Sequence, residues 1–117
     1  MNWYLTKMVF QIISGEGDHH PQFDEQLRLI SADSEAEAFD KAFCLGKSET
    51  DTFINKKNQP VKWLFINVSD VYRINELSDG VELYSRIEEK DHAGSYIQAV
   101  NRRAEKYKKE RNLAYIE

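Results

Sequence analysis

The chain has 117 residues, of which 41% are hydrophobic and 31% charged, and its net charge is −4. That length supports one domain with its own core, and six Phe, six Tyr and two Trp speak against a disordered chain. The acidic balance speaks against a general polyanion binder, and a single cysteine, Cys44, excludes an internal disulfide.

One cysteine also fits a reducing compartment. The opening MNWYLTKMVFQII has no basic leader and no small-residue cleavage site. No apolar run approaches the roughly 18 residues of a membrane helix. These features predict a cytoplasmic protein with no membrane partner.

Trp3–Ile13 (WYLTKMVFQII) is rich in aromatic and β-branched residues and predicts a strand. Read in twos, Tyr4, Met8, Phe10 and Ile12 share one face, and Trp3, Leu5, Val9 and Ile13 the other. Both faces are apolar, as in a strand covered on each side. Phe23–Ile30 alternates more cleanly: Phe23, Leu27 and Leu29 point one way, while Asp24, Gln26 and Arg28 form a wet face. The two runs predict a hairpin around the loop Gly15–Gln22.

Ser34 followed by Glu37 reads as a capping box. The helix it opens carries Ala38, Phe39, Ala42, Phe43 and Leu45, and stops at Gly46, read as a left-handed C-cap. Its apolar stripe belongs on the sheet, with Cys44 as a small packing residue. Ser48–Ile54 predicts a further helical turn, and Asn55–Pro60 a turn. Val61–Val68 (VKWLFINV) predicts a central strand and Asp70–Leu77 a weaker strand or bend. Ser78–Gly80 reads as a turn and Val81–Ile87 as a last alternating strand. Glu88–Gly94 reads as a hinge. From Ser95 to about Asn112 a second helix carries a thin stripe, Tyr96, Val100, Ala104 and Tyr107, on a charged body.

These elements sum to an α+β fold of order ββαβββα. One helix packs on an antiparallel sheet of four or five strands, and a charged helix follows. Residues 1–90 form a single α+β domain, and 91–117 the charged C-terminal helix of the same unit. The sheet has more apolar face than one good helix can cover, which predicts a homodimer.

The richest cluster of chemistry is the hairpin loop and the strand after it. Glu16, Asp18, His19 and His20, with Glu25 and Arg28 beyond, form the candidate ligand-binding set. Adjacent histidines on a strand diverge, and only a loop can converge them. Their spacing matches no zinc signature and lacks HExxH, so whether the loop takes a metal stays open. Glu25 falls on the apolar face between Phe23 and Leu27, and an inward carboxylate needs a partner. Lys7 on the neighbouring strand is one available cation, and Arg28 through a twist or bulge is the other.

Arg102–Arg111 holds six basic residues in ten with Tyr107 interleaved. Its two glutamates and the acidic body predict a solvated helical face, and nucleic acid is not an expected partner. No glycine-rich phosphate loop, nucleophile elbow, CxxC pair or dinucleotide fingerprint is present. No catalytic residue and no cofactor is therefore expected.

The segments WYLTKMVFQI, GEGDHHPQFDEQLRLI, LGKSETDTF, VKWLFINVSDVYRI and DGVELYSRI together resemble a bacterial family known as a domain of unknown function, number 4288. The resemblance covers roughly residues 3–90. It implies one compact α+β domain and carries over no catalytic residue. The expected function is a non-enzymatic protein-interaction or regulatory module of a bacterial cytoplasm, with a protein partner. The alternative is a small-molecule or metal-binding site at the Gly15–Gln22 loop.

Overall fold

The computed structural model describes residues 1–111, so the expected helix end near Asn112 lies outside the described residues. The chain divides into two compact units, Met1–Tyr84 and a second beginning at Ser85.

In the first unit the order is β1 (Asn2–Ser14), β2 (Gln22–Ala32), α1 (Glu35–Ser48), β3 (Asp51–Ile54) and β4 (Pro60–Ile74). The strands form one antiparallel sheet in the order β2-β1-β4-β3. The β-branched and aromatic run at the start of the chain becomes an inner strand between β2 and β4, with α1 covering one of its two apolar faces. The overall α+β character and the antiparallel sheet of four strands agree with the sequence reading.

The core lies between α1 and one face of the sheet. Tyr4, Met8 and Phe10 of β1, Ile30 and Ala32 of β2, and Phe65 and Val68 of β4 meet Ala38 and Ala42 of α1. Met8 and Phe10 are fully buried, each stabilising the fold by roughly 1.5–3 kcal/mol. Small residues on α1 let the helix approach the sheet closely. The Phe65 ring packs edge-on against both Phe10 and Phe43 at 5.5 Å. Among the described residues Thr6 is the one buried polar side chain, and its hydroxyl donates to the Arg28 carbonyl at 3.0 Å.

Ser34 caps α1, its hydroxyl accepting from the Glu37 N–H at 3.1 Å. The Glu37 carboxylate reaches back one residue further than a capping box requires and accepts from the Asp33 N–H. Gly46 does not end the helix. Helical geometry continues to Ser48, and the Glu49 N–H closes the end on the Leu45 and Gly46 carbonyls. Gly46 is buried inside the helix because a Cβ there would overlap the Phe65 ring. Close approach, not a left-handed turn, demands this glycine.

Three other expectations change. Ser48–Ile54 is not a helical turn: Asp51–Ile54 is β3, an edge strand paired with Pro60–Trp63. The two runs Val61–Val68 and Asp70–Leu77 are one long strand, β4. It pairs with β1 through two irregularities, which leave Ile66 and Ser69 without opposite numbers. Each bulge shifts the alternation by one, so Phe65, Val68 and Val71 all reach the helix side. That is why the run reads as apolar on both faces. Val81–Ile87 is not a strand. The returning segment instead lays Tyr84 edge-on against Tyr72 at 5.5 Å. The observed order over the described residues is ββαββα.

In the second unit Glu88 bridges Arg86 and Lys90, and α2 (Ala93–Arg111) follows. Lys90 sits over the Tyr96 ring at 5.2 Å. Arg102, Arg103, Lys106 and Lys109 are exposed. Among the described residues no helix is long and apolar enough to cross a membrane.

Candidate functional site

The β1–β2 loop is closed by its glycines and one histidine. Gly15 and Gly17 adopt positive φ (57° and 84°), which glycine reaches without steric cost. The Gly15 N–H donates to the Pro60 carbonyl at 2.8 Å, which ties this loop to the β3–β4 turn. The His19 ring folds back: Nε2 accepts from the Ser14 N–H at 3.0 Å. The proton therefore sits on Nδ1, which donates to the His20 carbonyl at 2.8 Å. Both ring nitrogens are engaged in backbone closure. A metal needs a free ring lone pair, and the one on Nε2 already takes the Ser14 amide. Among the described residues no group of three or more His, Cys, Asp or Glu gathers in a metal-binding arrangement.

A cleft of about 700 Å³ opens between this loop and the β3–β4 turn. Glu16, Asp18, His19 and Gln22 line it from one side, and Asn58, Gln59 and Pro60 from the other. The turn is built by Asn55, whose side-chain oxygen accepts from the Lys57 and Gln59 N–H groups at 2.9 and 3.0 Å. Asn58 takes the left-handed conformation (φ 61°). The sequence marked both turns but gave no sign that they meet, so Asn58 and Gln59 escaped the candidate set.

The six candidate residues do not converge. Glu16, Asp18 and His19 line the cleft, and His20 is not among the cleft residues. Glu25 and Arg28 lie along β2, on opposite faces. Arg28 belongs to a ladder on the helix side. Its guanidinium forks onto Glu49 at 2.9 and 2.7 Å and donates to Gln26 at 2.9 Å. Gln26 donates to Asp24 at 2.6 Å, and the Trp63 indole donates to the same carboxylate oxygen at 3.2 Å. Arg28 holds the Glu49 carboxyl below its ordinary range, first by hydrogen bonding and then by charge.

This ladder corrects the expected wet face of β2. Register pairs Thr6 with Arg28, Met8 with Gln26 and Phe10 with Asp24, so the polar trio faces the helix side. α1 covers only the Ile30–Ala32 end of the strand, and the trio satisfies itself beside it. Phe23, Leu27 and Leu29 are the outward residues, 55%, 49% and 48% exposed. Glu25 shares their open face and pairs with Lys7 at 2.6 Å. It does not point inward: its carboxylate is more than half exposed. The Glu25 hydrogen bond, ahead of charge, raises the Lys7 ammonium above its ordinary value. Burial, with Asp70 nearby, raises the Tyr72 phenol on the same face.

The family model described as a domain of unknown function, DUF4288, matches residues 3–85. The chain belongs to the DUF4288 family. The DUF4288 match ends one residue beyond the first compact unit, so the family's domain is the sheet, α1 and the segment returning to Tyr84. No curated protein and no solved structure matches the chain.

Proposed function

We propose that the chain is a non-enzymatic protein-interaction module of a bacterial cytoplasm, with a regulatory role exercised by occupying its partner. The observation that carries this reading is the exposed strip along β2 on the sheet face opposite α1, beside the part of that face where Leu5 and Ile74 are buried. Trp3, Phe23, Leu27 and Leu29 stand exposed on it, and Val9 and Ile13 are half-buried beside them. The four exposed side chains lie together on neighbouring strands, and such apolar patches on a protein surface are often functional. The only carboxylate in the β2 row, Glu25, is neutralised by Lys7. The partner this surface suits is a protein with an uncharged apolar patch, such as one stripe of an amphipathic helix.

The test is photocrosslinking in the native host from position 27, followed by identification of the captured protein and reconstitution with the purified partner. Binding should weaken by roughly tenfold or more in the Trp3→Asp and Leu27→Asp variants, with the folded spectrum retained. Unchanged binding in both variants would remove this face from the function.

The cleft favours a second reading. Two carboxylates and three amides line it, and Lys56 and Lys57 line an adjoining hollow. This composition suits a small polar molecule with hydrogen-bond donors. Calorimetry against a panel of polyols, amines and amino acids, with no heat at millimolar concentration, would dismiss it.

A further inference from the structure

β2 is an edge strand of eleven residues. Its ladder with β1 runs without a register shift from Asn2↔Ala32 to Ile12↔Gln22, whereas β4 is bulged twice. A long, unbulged edge is a template for another strand, and proteins usually protect such edges with proline, bulges or inward charge. Gln22–Ile30 contains no proline and no bulge, and the charges on its helix side, Asp24 and Arg28, are of opposite sign and already partnered within the chain. The opposite edge is made of the four residues of β3 and then of β4 beyond Trp63, which carries the bulges at Ile66 and Ser69. Beyond Ile30 the edge is blocked, because the Lys41 ammonium reaches from α1 to the Ser31 carbonyl. The open stretch is thus Gln22–Ile30, and its middle residue is Gln26.

We propose that two copies of the chain pair antiparallel along β2, about a twofold axis at Gln26, to form one continuous sheet. In that register Asp24 meets the partner's Arg28, and Arg28 meets the partner's Asp24. Phe23 meets the partner's Leu29 on the open face, again twice, and Gln26 meets its own counterpart. Opposite charges and aromatic–aliphatic pairs directly across an antiparallel ladder are the stabilising kinds. Neighbouring registers lack this match. An axis at Leu27 sets both Asp24 against Ile30 and Glu25 against Leu29, whereas the Gln26 axis leaves only Glu25, already held by Lys7, opposite an apolar residue, the partner's Leu27. An axis at Glu25 sets two like charges face to face.

The groups needed are available. Asp24 receives Gln26 and Trp63 at the same oxygen, Oδ2. Arg28 gives Glu49 one proton from each terminal nitrogen. The second carboxylate oxygen and the remaining guanidinium protons are what meet across the axis. The apolar rows of the two copies then lie side by side as one stripe, twice as wide, on the open face. The pairing uses the edge of β2 and stands whether or not a foreign partner takes the face.

The test uses the full chain. Light scattering at about 50 μM, where a standard-size interface is populated, should give twice the chain mass. In a Cys44→Ser background, mild oxidation should crosslink the Q26C variant, whose two thiols would flank the axis, and not the T52C variant on the far edge. Asp24→Arg sets like charges opposite each other twice and should raise the dimer dissociation constant about tenfold. A monomeric mass overturns the proposal, as does a dimer in which T52C crosslinks and Q26C does not. A monomer that adds a foreign strand at β2 overturns it as well. Should Asp24→Arg fail to fold, the crosslinking pattern still decides. Failure of the partner-binding reading would appear separately, as lost capture by a chain that remains dimeric.

Discussion

Gly46 shows how one residue type can be right for a reason other than the expected one. A glycine after a helical stripe is the common signal of a left-handed stop, yet here it lies within the last turn of the helix, pressed against Phe65. Alanine is the better helix former by about 1 kcal/mol, but its methyl must displace an aromatic ring at the centre of the core. Gly46→Ala should therefore destabilise, by about 1–2 kcal/mol, and lower the melting temperature of this small domain by roughly 5–10 °C. A thermal melt that rises instead would mean that the ring can move aside. His19 teaches the same lesson. Its residue type suggested chemistry, but its two nitrogens close a turn. Sequence names a side chain's capabilities, and the local backbone decides which of them is used.

At the scale of elements, β2 was legible as a strand but not in its sidedness. Alternation fixes which residues share a face, and Phe23, Leu27 and Leu29 do share one. It does not fix which face meets the helix. That was settled by Ile30 and Ala32, two residues that follow the polar trio on the same side and carry α1. The trio then needs an internal partner, and Glu49 at the end of α1 supplies it. This link couples helix to strand and makes stability depend on acid. Because the folded Glu49 carboxyl titrates lower than an unfolded one, its contribution is present above the ordinary carboxylate range. It is lost as pH falls through the folded value. Glu49→Gln should cost up to about 1 kcal/mol at neutral pH and flatten the acid limb of a denaturant-midpoint profile in the window at and below the ordinary carboxylate value of about 4. Wild-type and variant profiles running parallel through that window would show the fork to be inert.

For the whole molecule, the α+β class and the sheet-plus-helix core followed from periodicity, because strong alternation and a capped amphipathic helix leave few alternatives. The strand order did not follow. Nor did the cleft between two distant turns, which depends on β4 lying beside β1, a pairing that no local pattern encodes. The coincidence of family match and compact unit has a direct consequence: residues 1–84 should fold without the rest. Their far-ultraviolet spectrum should keep its strand component, and unfolding should remain a single cooperative transition. An aggregated or unfolded fragment would show that the segment from Ser85 is required for folding.

The bulges at Ile66 and Ser69 set where the domain can change its length. Removing one bulged residue leaves every other β4 side chain on its present face, because the ladder on either side closes up in register. Removing one residue elsewhere in β1 or β4 turns all that follows inside out. Single-residue gaps among relatives in this strand should therefore fall at these two positions, and a relative lacking both would carry a straighter, less twisted β4.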